Sequence, residues 1–328
     1  MITGPAELPD LRLRMRERVM TSECGHEVIR RLNAGKSAVT PRLAGPPEIQ
    51  RASAVTGALL MARCEARRLS EAQLYWVDRE MTALTLAAAD HPPREPVIAR
   101  RLPAEAGLMV FNESIDGDDG EQVVAVSWSH WTPQHLDLDD GSGLIAWSLN
   151  TPGGAVPLHP EFDGVWLTYW TPQLIPLAES VLPFGQPLVP PRSVAGKRWA
   201  HVVYTAWQLM TQSGSAQLSE LEELPRSRHG RKRDQRAGVE DAGTVRLVRV
   251  HARHRDVASG EREAPRWSSR WPVRAYRRNT CLNSRLHANG GCEHEERIVP
   301  GHIKGPADKP LKAGTRVHIW DTPPPSEP

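Results

Sequence analysis

Between residues 107 and 170 the period of the sequence pattern changes to two, and this change constrains the fold more than any other feature of the chain. Successive residues of a strand point to opposite faces, so a period of two predicts β-strands. The four predicted strands are Leu108–Asn112, Gln122–Trp131, Leu144–Asn150 and Val165–Trp170. Asp and Gly dominate the turns between the first three, as in hairpins, and neither turn has the ligand spacing of a calcium loop. The pattern predicts an antiparallel sheet.

Five tryptophans lie on these strands: Trp128, Trp131, Trp147, Trp166 and Trp170. Large aromatic side chains on strands usually bury their rings in a core. Exposed rings of this kind would instead form a platform on which nucleobases stack. We expect the core role and keep base stacking as the alternative.

Three segments carry helical patterns. The segment Leu11–Asn33 is so densely charged that we expect an exposed helix. A second helix is predicted from Ser70, where Ser70-Glu71-Ala72-Gln73 has the form of a capping box. Its apolar residues recur at spacings of three and four: Leu74, Val77, Met81 and Leu84. The third segment, Lys197–Gln212, has one broad apolar face.

These patterns predict an α+β fold. It comprises helices plus an antiparallel Trp-bearing sheet, a basic linker and a small antiparallel β module at the C-terminus. The predicted parts are a helical or partly disordered N-terminal segment (1–65), an α+β domain (66–213), a basic flexible linker (214–244), a small basic β module (245–320) and a disordered tail (321–328).

Charge is distributed unequally along the chain. Residues 225–328 contain 22 Lys and Arg against 12 Asp and Glu, whereas residues 1–224 contain 19 against 27. The formal net charge of +2 therefore conceals two opposite halves. A focused basic field attracts polyanions, so we expect a nucleic-acid partner, DNA or RNA, for the C-terminal part. The acidic N-terminal part is a candidate surface for a protein partner.

The compartment is expected to be the reducing cytoplasm. Four cysteines are too few for a disulfide scaffold in a chain of 328 residues. The first residues lack the pattern of a signal peptide, and no window approaches the roughly 20 consecutive apolar residues of a membrane-spanning helix. We expect no membrane association.

The predicted phosphate contacts are the basic side chains of the C-terminal part. Guanidinium forks bind phosphate bidentately and stay charged at physiological pH. The candidates are Arg226, Arg228, Arg231, Lys232, Arg233, Arg236, Arg246, Arg274, Arg277 and Arg278. No helix-turn-helix or RNP motif accompanies them, so contact through the backbone phosphates is expected. The alternative is a solvated basic face that reflects only the codon usage of a GC-rich genome.

About three quarters of the chain also resembles a known group of proteins. The likeness covers residues 70–320 and rests on Trp207-Gln208-Leu209-Met210-Thr211-Gln212, Arg270-Trp271-Pro272-Val273-Arg274 and His302-Ile303-Lys304-Gly305-Pro306-Ala307-Asp308-Lys309-Pro310-Leu311. These segments resemble uncharacterised actinobacterial proteins associated with phages, plasmids and integrated elements. Members of that group carry Gly-His-Trp-Arg where this chain has Ala275, Tyr276, Arg277 and Arg278, so their histidine is absent here. The resemblance implies the setting of a mobile genetic element and no established activity.

Catalysis is an alternative use of the same basic surface. Small basic β modules can cleave RNA, with Arg stabilising the transferring phosphate and His or Tyr moving protons. The candidates for such a site are Arg274, Tyr276, Arg278, His302 and Lys304. The chain has no serine-hydrolase elbow, Walker loop or His-Glu-x-x-His motif. The sequence therefore leaves open whether the protein is an enzyme.

One group of residues has the chemistry of a zinc site. Cys281, His287, Cys292 and His294 fall within fourteen residues, and thiolate and imidazole are the ligands that zinc prefers. Their spacing, Cys-x₅-His-x₄-Cys-x-His, matches no established zinc finger. We therefore predict no cofactor and keep zinc as the single metal alternative.

The sequence supports three functional hypotheses. The first is an accessory protein of a phage or other mobile element whose basic module contacts nucleic acid. The second is a toxin-like enzyme that cleaves RNA with the same arginines. The third is a non-catalytic protein that binds a partner through its acidic N-terminal part.

Overall fold

The computed structural model describes most of the chain. The described residues are 4–43, 47–89, 95–116, 121–132, 145–151, 154–159, 161–188, 196–212, 217–239, 244–251, 268–273, 276–281, 294–299, 302–306 and 309–310. The α-helices are α1 Leu8–Val19, α2 Ser22–Asn33, α3 Pro47–Glu71, α4 Arg79–Ala89, α5 Gly196–Thr211 and α6 Arg228–Arg236. The strands are β1 Val39–Leu43, β2 Gln73–Val77, β3 Ala106–Asp116, β4 Gln122–Trp131, β5 Ile145–Thr151, β6 Gly154–Pro157, β7 Gly164–Trp170, β8 Pro176–Pro183, β9 Ser219–Leu224, β10 Val245–Val250, β11 Trp271–Val273, β12 Tyr276–Cys281, β13 His294–Val299 and β14 His302–Lys304.

A seven-stranded sheet in the order β8-β7-β4-β3-β2-β10-β9 forms the centre of the molecule. Three of the predicted strands, β3, β4 and β7, are antiparallel neighbours in this sheet, and β8, which the sequence pattern did not indicate, pairs with β7 at its edge. The fourth predicted strand, Leu144–Asn150, corresponds to β5 and belongs to a second sheet. The strand β2 pairs in parallel with both β3 and β10, so the sheet is mixed. The predicted α+β class with a Trp-bearing sheet is confirmed.

The helix predicted to begin at Ser70 is wrong over its first half. Ser70 lies in the last turn of α3, where its hydroxyl donates to the Ala66 carbonyl at 2.9 Å. The next four apolar residues form β2 and are all buried: Leu74, Tyr75, Trp76 and Val77. A short apolar run that is buried on both faces fits a central strand with parallel neighbours, whereas periodicity alone cannot distinguish it from a helix.

Helices cover both faces of the central sheet. On one face, α4 and α5 pack against β2 side chains such as Tyr75 and Val77. On the other, α1 and α3 pack against Leu74 and Trp76, the residues that alternate with them. This arrangement buries both sides of the sheet, as the parallel pairings require.

The predicted exposed helix over Leu11–Asn33 is instead two helices with a break at Met20 and Thr21. The Thr21 hydroxyl caps the second helix by accepting from the Cys24 amide at 3.5 Å. Four apolar residues of α1 recur every three or four positions and are buried: Leu8, Leu11, Met15 and Val19. This buried face is compatible with the high charge density of the helix, because most of the charged residues lie outside it and the buried Arg12 donates a hydrogen bond to the Ala72 carbonyl at 3.0 Å.

The tryptophans of the predicted strands belong to the core. The rings of Trp128, Trp131, Trp147, Trp166 and Trp170 are at most 2% exposed. Three of them, Trp131, Trp147 and Trp166, meet edge to face with centroids 5.2–6.0 Å apart. They join the central sheet to a second sheet in the order β1-β5-β6. The core role is confirmed, and the base-stacking alternative is wrong for these rings.

The predicted basic linker contains regular structure. The edge strand β9 and the helix α6 lie within residues 214–244, and β10 is part of the central sheet rather than of a separate module. The rest of the predicted β module (245–320) contains four short strands, β11, β12, β13 and β14, among its described residues. Residues 311–320 of the module and the predicted disordered tail at 321–328 lie outside the described residues.

Residues around β11 and β14, two of the segments on which the resemblance rests, attach this strand pair to the central domain. Arg270 is 2% exposed, and its Nη2 lies 2.5 Å from Glu80 Oε1 on α4. Its Nε donates to the Lys309 carbonyl at 2.8 Å, while Ile303 enters the core beneath α4 and α5. Gly305 has φ +123°, and a Cβ there would lie 2.9 Å from the Arg270 Cα. The Lys304-Gly305-Pro306 segment therefore has a structural role.

Candidate functional site

The arginines of β10 are paired with the acidic edge strand β9. Arg249 Nη1 lies 2.7 Å from Glu222 Oε2, and Arg246 Nε lies 3.6 Å from Glu223 Oε1. The Arg246 guanidinium also lies over the Tyr75 ring, 5.7 Å from its centroid. The candidate phosphate contact Arg246 and its neighbour Arg249 are therefore largely neutralised by the glutamates of the adjacent strand.

Two further candidates, Arg226 and Arg233, attach α6 to the body of the protein. Arg226 lies 2.5 Å from Asp10 Oδ1 on α1 and 3.2 Å from Asp234 Oδ2, while Arg233 also binds Asp10. Burial alone would raise the pKa of Asp10, but hydrogen bonds from both arginines outweigh it and lower that pKa. Burial opposes the charge of Arg226, yet its hydrogen bonds to Asp234 and Asp10 raise the pKa above its ordinary value.

The buried face of α6 depends on one glycine. The Ser227 hydroxyl caps the helix by accepting from the Gly230 amide at 3.1 Å. Gly230 and Asp234 are the buried residues of α6, one turn apart. The Arg226 side chain crosses the helix against Gly230, where a Cβ would collide with its Nε. The missing side chain at Gly230 thus lets Arg226 reach Asp234.

The opposite face of α6 is exposed and basic. It carries four of the candidate phosphate contacts: Arg228, Arg231, Lys232 and Arg236. Spacings of three, four and eight residues put them on one side of an α-helix. None of the four has an ion pair or a side-chain hydrogen bond with another described residue. We call this set the α6 basic face.

A cleft of about 430 Å³ begins at the C-terminal end of α6. It lies between α1, α3 and the turn after α6, and Arg16, Arg67, Ser70, Glu71 and Gly238 line it. Arg16 Nη1 donates to the Ala237 carbonyl at 2.6 Å and so holds α1 to the end of α6. Arg67 and Glu71 pair across one helical turn at 2.9 Å. We call this the α6 cleft.

A larger cleft of about 600 Å³ lies on the other side of Arg67 and Glu71, which line it as well. Its remaining walls come from the start of β2 and β3 and from the end of β4, including Gln73, Glu105 and His130. His130 Nε2 is hydrogen-bonded to Asp163 Oδ1, just before β7. Burial raises the pKa of the Cys64 thiol on α3, which therefore stays protonated at neutral pH. We call this the sheet-end cleft.

A buried polar network around Glu65 joins α3, which lines the sheet-end cleft, to strands β4 and β7. Glu65 accepts hydrogen bonds from Ser127, Thr168 (2.7 Å) and Arg68, and the Trp170 indole donates to Ser127 Oγ at 2.8 Å. The Arg68 guanidinium also stacks 4.8 Å from the centroid of Trp166. Because every partner of Glu65 is fixed by packing, this network holds α3 and Arg68 in place.

No pattern in the sequence pointed directly to the residues of the sheet-end cleft. Glu105 and His130 are separated by 25 positions in the chain, and only the β3–β4 pairing brings them together, with the His130 amide donating to the Glu105 carbonyl at 2.8 Å. The available signal was the run Cys64-Glu65-Ala66-Arg67-Arg68, where charges interrupt an otherwise apolar helix. Charges at buried helical positions usually indicate a specific network.

The catalytic candidates lie on two different ribbons. Tyr276 and Arg278 belong to β12, which pairs with β13, whereas His302 and Lys304 belong to β14, which pairs with β11. Arg274 lies outside the described residues. A site that uses all five residues would therefore have to bridge two separate two-stranded sheets.

Two of the zinc candidates are partners across a strand pair. Cys281 ends β12 and His294 begins β13, and their Cα atoms are in register. His287 and Cys292 lie outside the described residues. Within the described part of the chain, no group of three His, Cys, Asp or Glu residues is arranged to hold a metal ion.

Comparisons with protein-family models, curated proteins and solved structures return no match to this chain. Among the described helices, none combines the length and the apolar character needed to cross a membrane.

Proposed function

We propose that the protein binds nucleic acid through backbone phosphates at the α6 basic face. The observation that carries this proposal is the set of four exposed cations on one side of a helix whose other side is held by Arg226, Asp234 and Asp10. Guanidinium groups favour phosphate because they donate two parallel hydrogen bonds. A helix that is already fixed loses little freedom when it binds.

The wider setting of this proposal comes from the resemblance of residues 70–320. An accessory protein of a phage, plasmid or integrated element in the cytoplasm would meet nucleic acid as its principal polyanion. Phosphate contacts of this kind carry no sequence information, so they position the protein without selecting a site. The α6 basic face is therefore expected to bind many sequences with similar affinity.

The test is a salt titration of the full-length protein with fluorescently labelled oligonucleotides. The variant R231Q/K232Q/R236Q removes three cations from the α6 basic face, and R30Q/R79Q/R100Q removes three exposed arginines from other elements. Each phosphate contact contributes about 0.9 to the salt slope on duplex DNA and about 0.7 on single strands. We expect the first variant to lose most of its affinity and roughly two to three units of slope.

The control variant shows whether a loss of affinity comes from the cations of the α6 basic face or from the lower net charge of the whole protein. If the α6 basic face is the site, R30Q/R79Q/R100Q keeps the slope of the parent protein. Equal losses in both variants, or an affinity that does not depend on salt, would refute the proposal. RNA that is shortened during the titration would support the catalytic alternative.

A further inference from the structure

The α6 cleft and the sheet-end cleft lie next to each other along α3. Arg67 and Glu71 line both clefts and therefore form the wall between them. The α6 cleft begins at the C-terminal end of α6, at Gly238. The sheet-end cleft extends to Glu105 and His130. A polymer that extends past the C-terminal end of α6 would therefore meet the α6 cleft first and the sheet-end cleft next.

The charges around the sheet-end cleft are paired, with one exception among the described residues. Arg67 pairs with Glu71, Arg68 with buried Glu65, and His130 with Asp163. Glu105 is exposed, and its carboxylate has no ion pair or hydrogen bond with a described residue. The cleft therefore offers a free carboxylate, an acceptor of two hydrogen bonds, beside the amide of Gln73.

These groups match the edge of an unpaired nucleobase. A carboxylate accepts hydrogen bonds from exocyclic amino groups such as the N4 amine of cytosine, and uracil and thymine have no such amine. The bases of a duplex are stacked and paired, so their edges cannot enter a cleft at the end of a sheet. Single strands present unstacked bases whose Watson–Crick edges are open to side chains.

We infer that the sheet-end cleft takes an unpaired, amino-bearing base of a single-stranded nucleic acid, with Glu105 as the residue that reads its amine. This inference rests on the proposed phosphate binding at α6, and it adds the class of ligand: a single strand rather than a duplex. Phosphates of the same strand lie along the α6 basic face, and Arg67 at the wall is placed to meet the phosphate between the two clefts. The ion pair of Arg67 with Glu71 is solvent-exposed and contributes little, so it can exchange for a phosphate.

The test compares matched homopolymers on the full-length protein. Oligocytidine and oligouridine of about 12 nucleotides, a length within the range of single-strand binding sites, are titrated as RNA and as DNA with thymidine in place of uridine. A mixed-sequence duplex of equal length serves as the third probe. We expect cytosine strands to bind roughly tenfold more tightly than uracil or thymine strands, since one charged hydrogen bond is at stake, and the duplex to bind most weakly.

The variant Glu105→Gln is the decisive one, because its side chain is exposed and its loss leaves the fold intact. It should abolish the preference for cytosine. The matched control Glu121→Gln removes the same charge before β4, whereas the sheet-end cleft lies at the end of that strand, about 30 Å away. Glu121→Gln should keep the preference.

Three results would overturn the inference: equal binding of cytosine and uracil strands, a cytosine preference that survives in Glu105→Gln, or a duplex that binds as tightly as the single strands. Any of these leaves the proposed function standing if R231Q/K232Q/R236Q still weakens all probes. If that variant binds every probe as the parent does, the phosphate site itself fails. Absence of binding to every probe would contradict both.

Discussion

At the scale of single residues, the same residue type has opposite roles on the two faces of α6. Arg226 is mostly buried and bridges Asp10 and Asp234, whereas Arg231 and its exposed neighbours face solvent. A buried guanidinium needs carboxylate partners to offset the loss of hydration, while an exposed one keeps its water and remains available to a ligand. A carboxylate partner, and not residue type, therefore separates the structural arginines Arg226 and Arg233 from the candidate phosphate contacts.

Gly230→Ala tests this arrangement. Alanine normally stabilises a helix relative to glycine by about 0.5–1 kcal/mol. At Gly230 the new Cβ would collide with the Arg226 side chain and push it away from buried Asp234, so we expect a net loss of about 1–3 kcal/mol in the free energy of unfolding. Urea denaturation measures the change.

The control is Gly25→Ala in α2, where no atom lies within 4 Å of the new Cβ. This substitution should leave the free energy of unfolding unchanged or raise it. A stabilised Gly230→Ala protein would show that Arg226 does not depend on the missing side chain.

At the scale of elements, edge strand β9 has two consequences for the sheet. Its glutamates pair with the arginines of β10, and they place charge along an edge that would otherwise invite pairing with another chain. The exposed cations that remain belong to α6, the next element after β9. Among the described residues from β9 to β10, the exposed cations without an ion pair are thus concentrated on a helix, and the arginines of the sheet are paired with glutamates.

The zinc alternative belongs to the β12–β13 strand pair. Because Cys281 and His294 are in register, the two residues are close enough in the backbone for both to ligate one tetrahedral ion. If Cys281, His287, Cys292 and His294 hold zinc, the purified protein contains about one equivalent, and a chelator lowers its melting temperature because metal binding contributes to folding. Cys281→Ser should lose the metal. Metal-free protein whose melting is unchanged by chelation would eliminate the site.

At the scale of the whole molecule, the acidic and basic halves share one central sheet. Strand β10 of the basic half lies between β2 and β9 of the acidic half, and Asp10 of α1 binds Arg226 and Arg233. The two halves therefore meet through strand pairing in one sheet and through specific ion pairs, and they do not form two separate modules within the described residues.

A fragment of residues 225–328 tests whether the basic half can fold without the acidic half. It retains β10 but lacks β2 and β9, the two strands that pair with it. We expect the isolated fragment to show no cooperative thermal transition by circular dichroism, because its buried residues Val245, Leu247 and Val250 have no sheet to join. The full-length chain, measured in parallel, should melt cooperatively. A sharp transition of the fragment would establish an autonomous C-terminal module.

The sequence by itself determined the features that depend on local periodicity. It located β4 at Gln122–Trp131, placed α5 within one residue of its bounds, and assigned five tryptophans to the core. It also located the cluster of cations that includes α6. Each of these follows from neighbours along the chain, because alternation and helical spacing are properties of consecutive residues.

The tertiary structure decided the features that depend on distant partners. Leu74–Val77 became a strand because β3 and β10 lie on either side of it, although its spacing with Met81 and Leu84 suggested a helix. Arg246 and Arg231 differ in their partners: a glutamate of β9 forms an ion pair with Arg246 but not with Arg231. Glu105 and His130 share a cleft because antiparallel pairing joins the start of β3 to the end of β4. Strand pairing and burial join residues far apart in sequence, and these contacts determine which charges remain available.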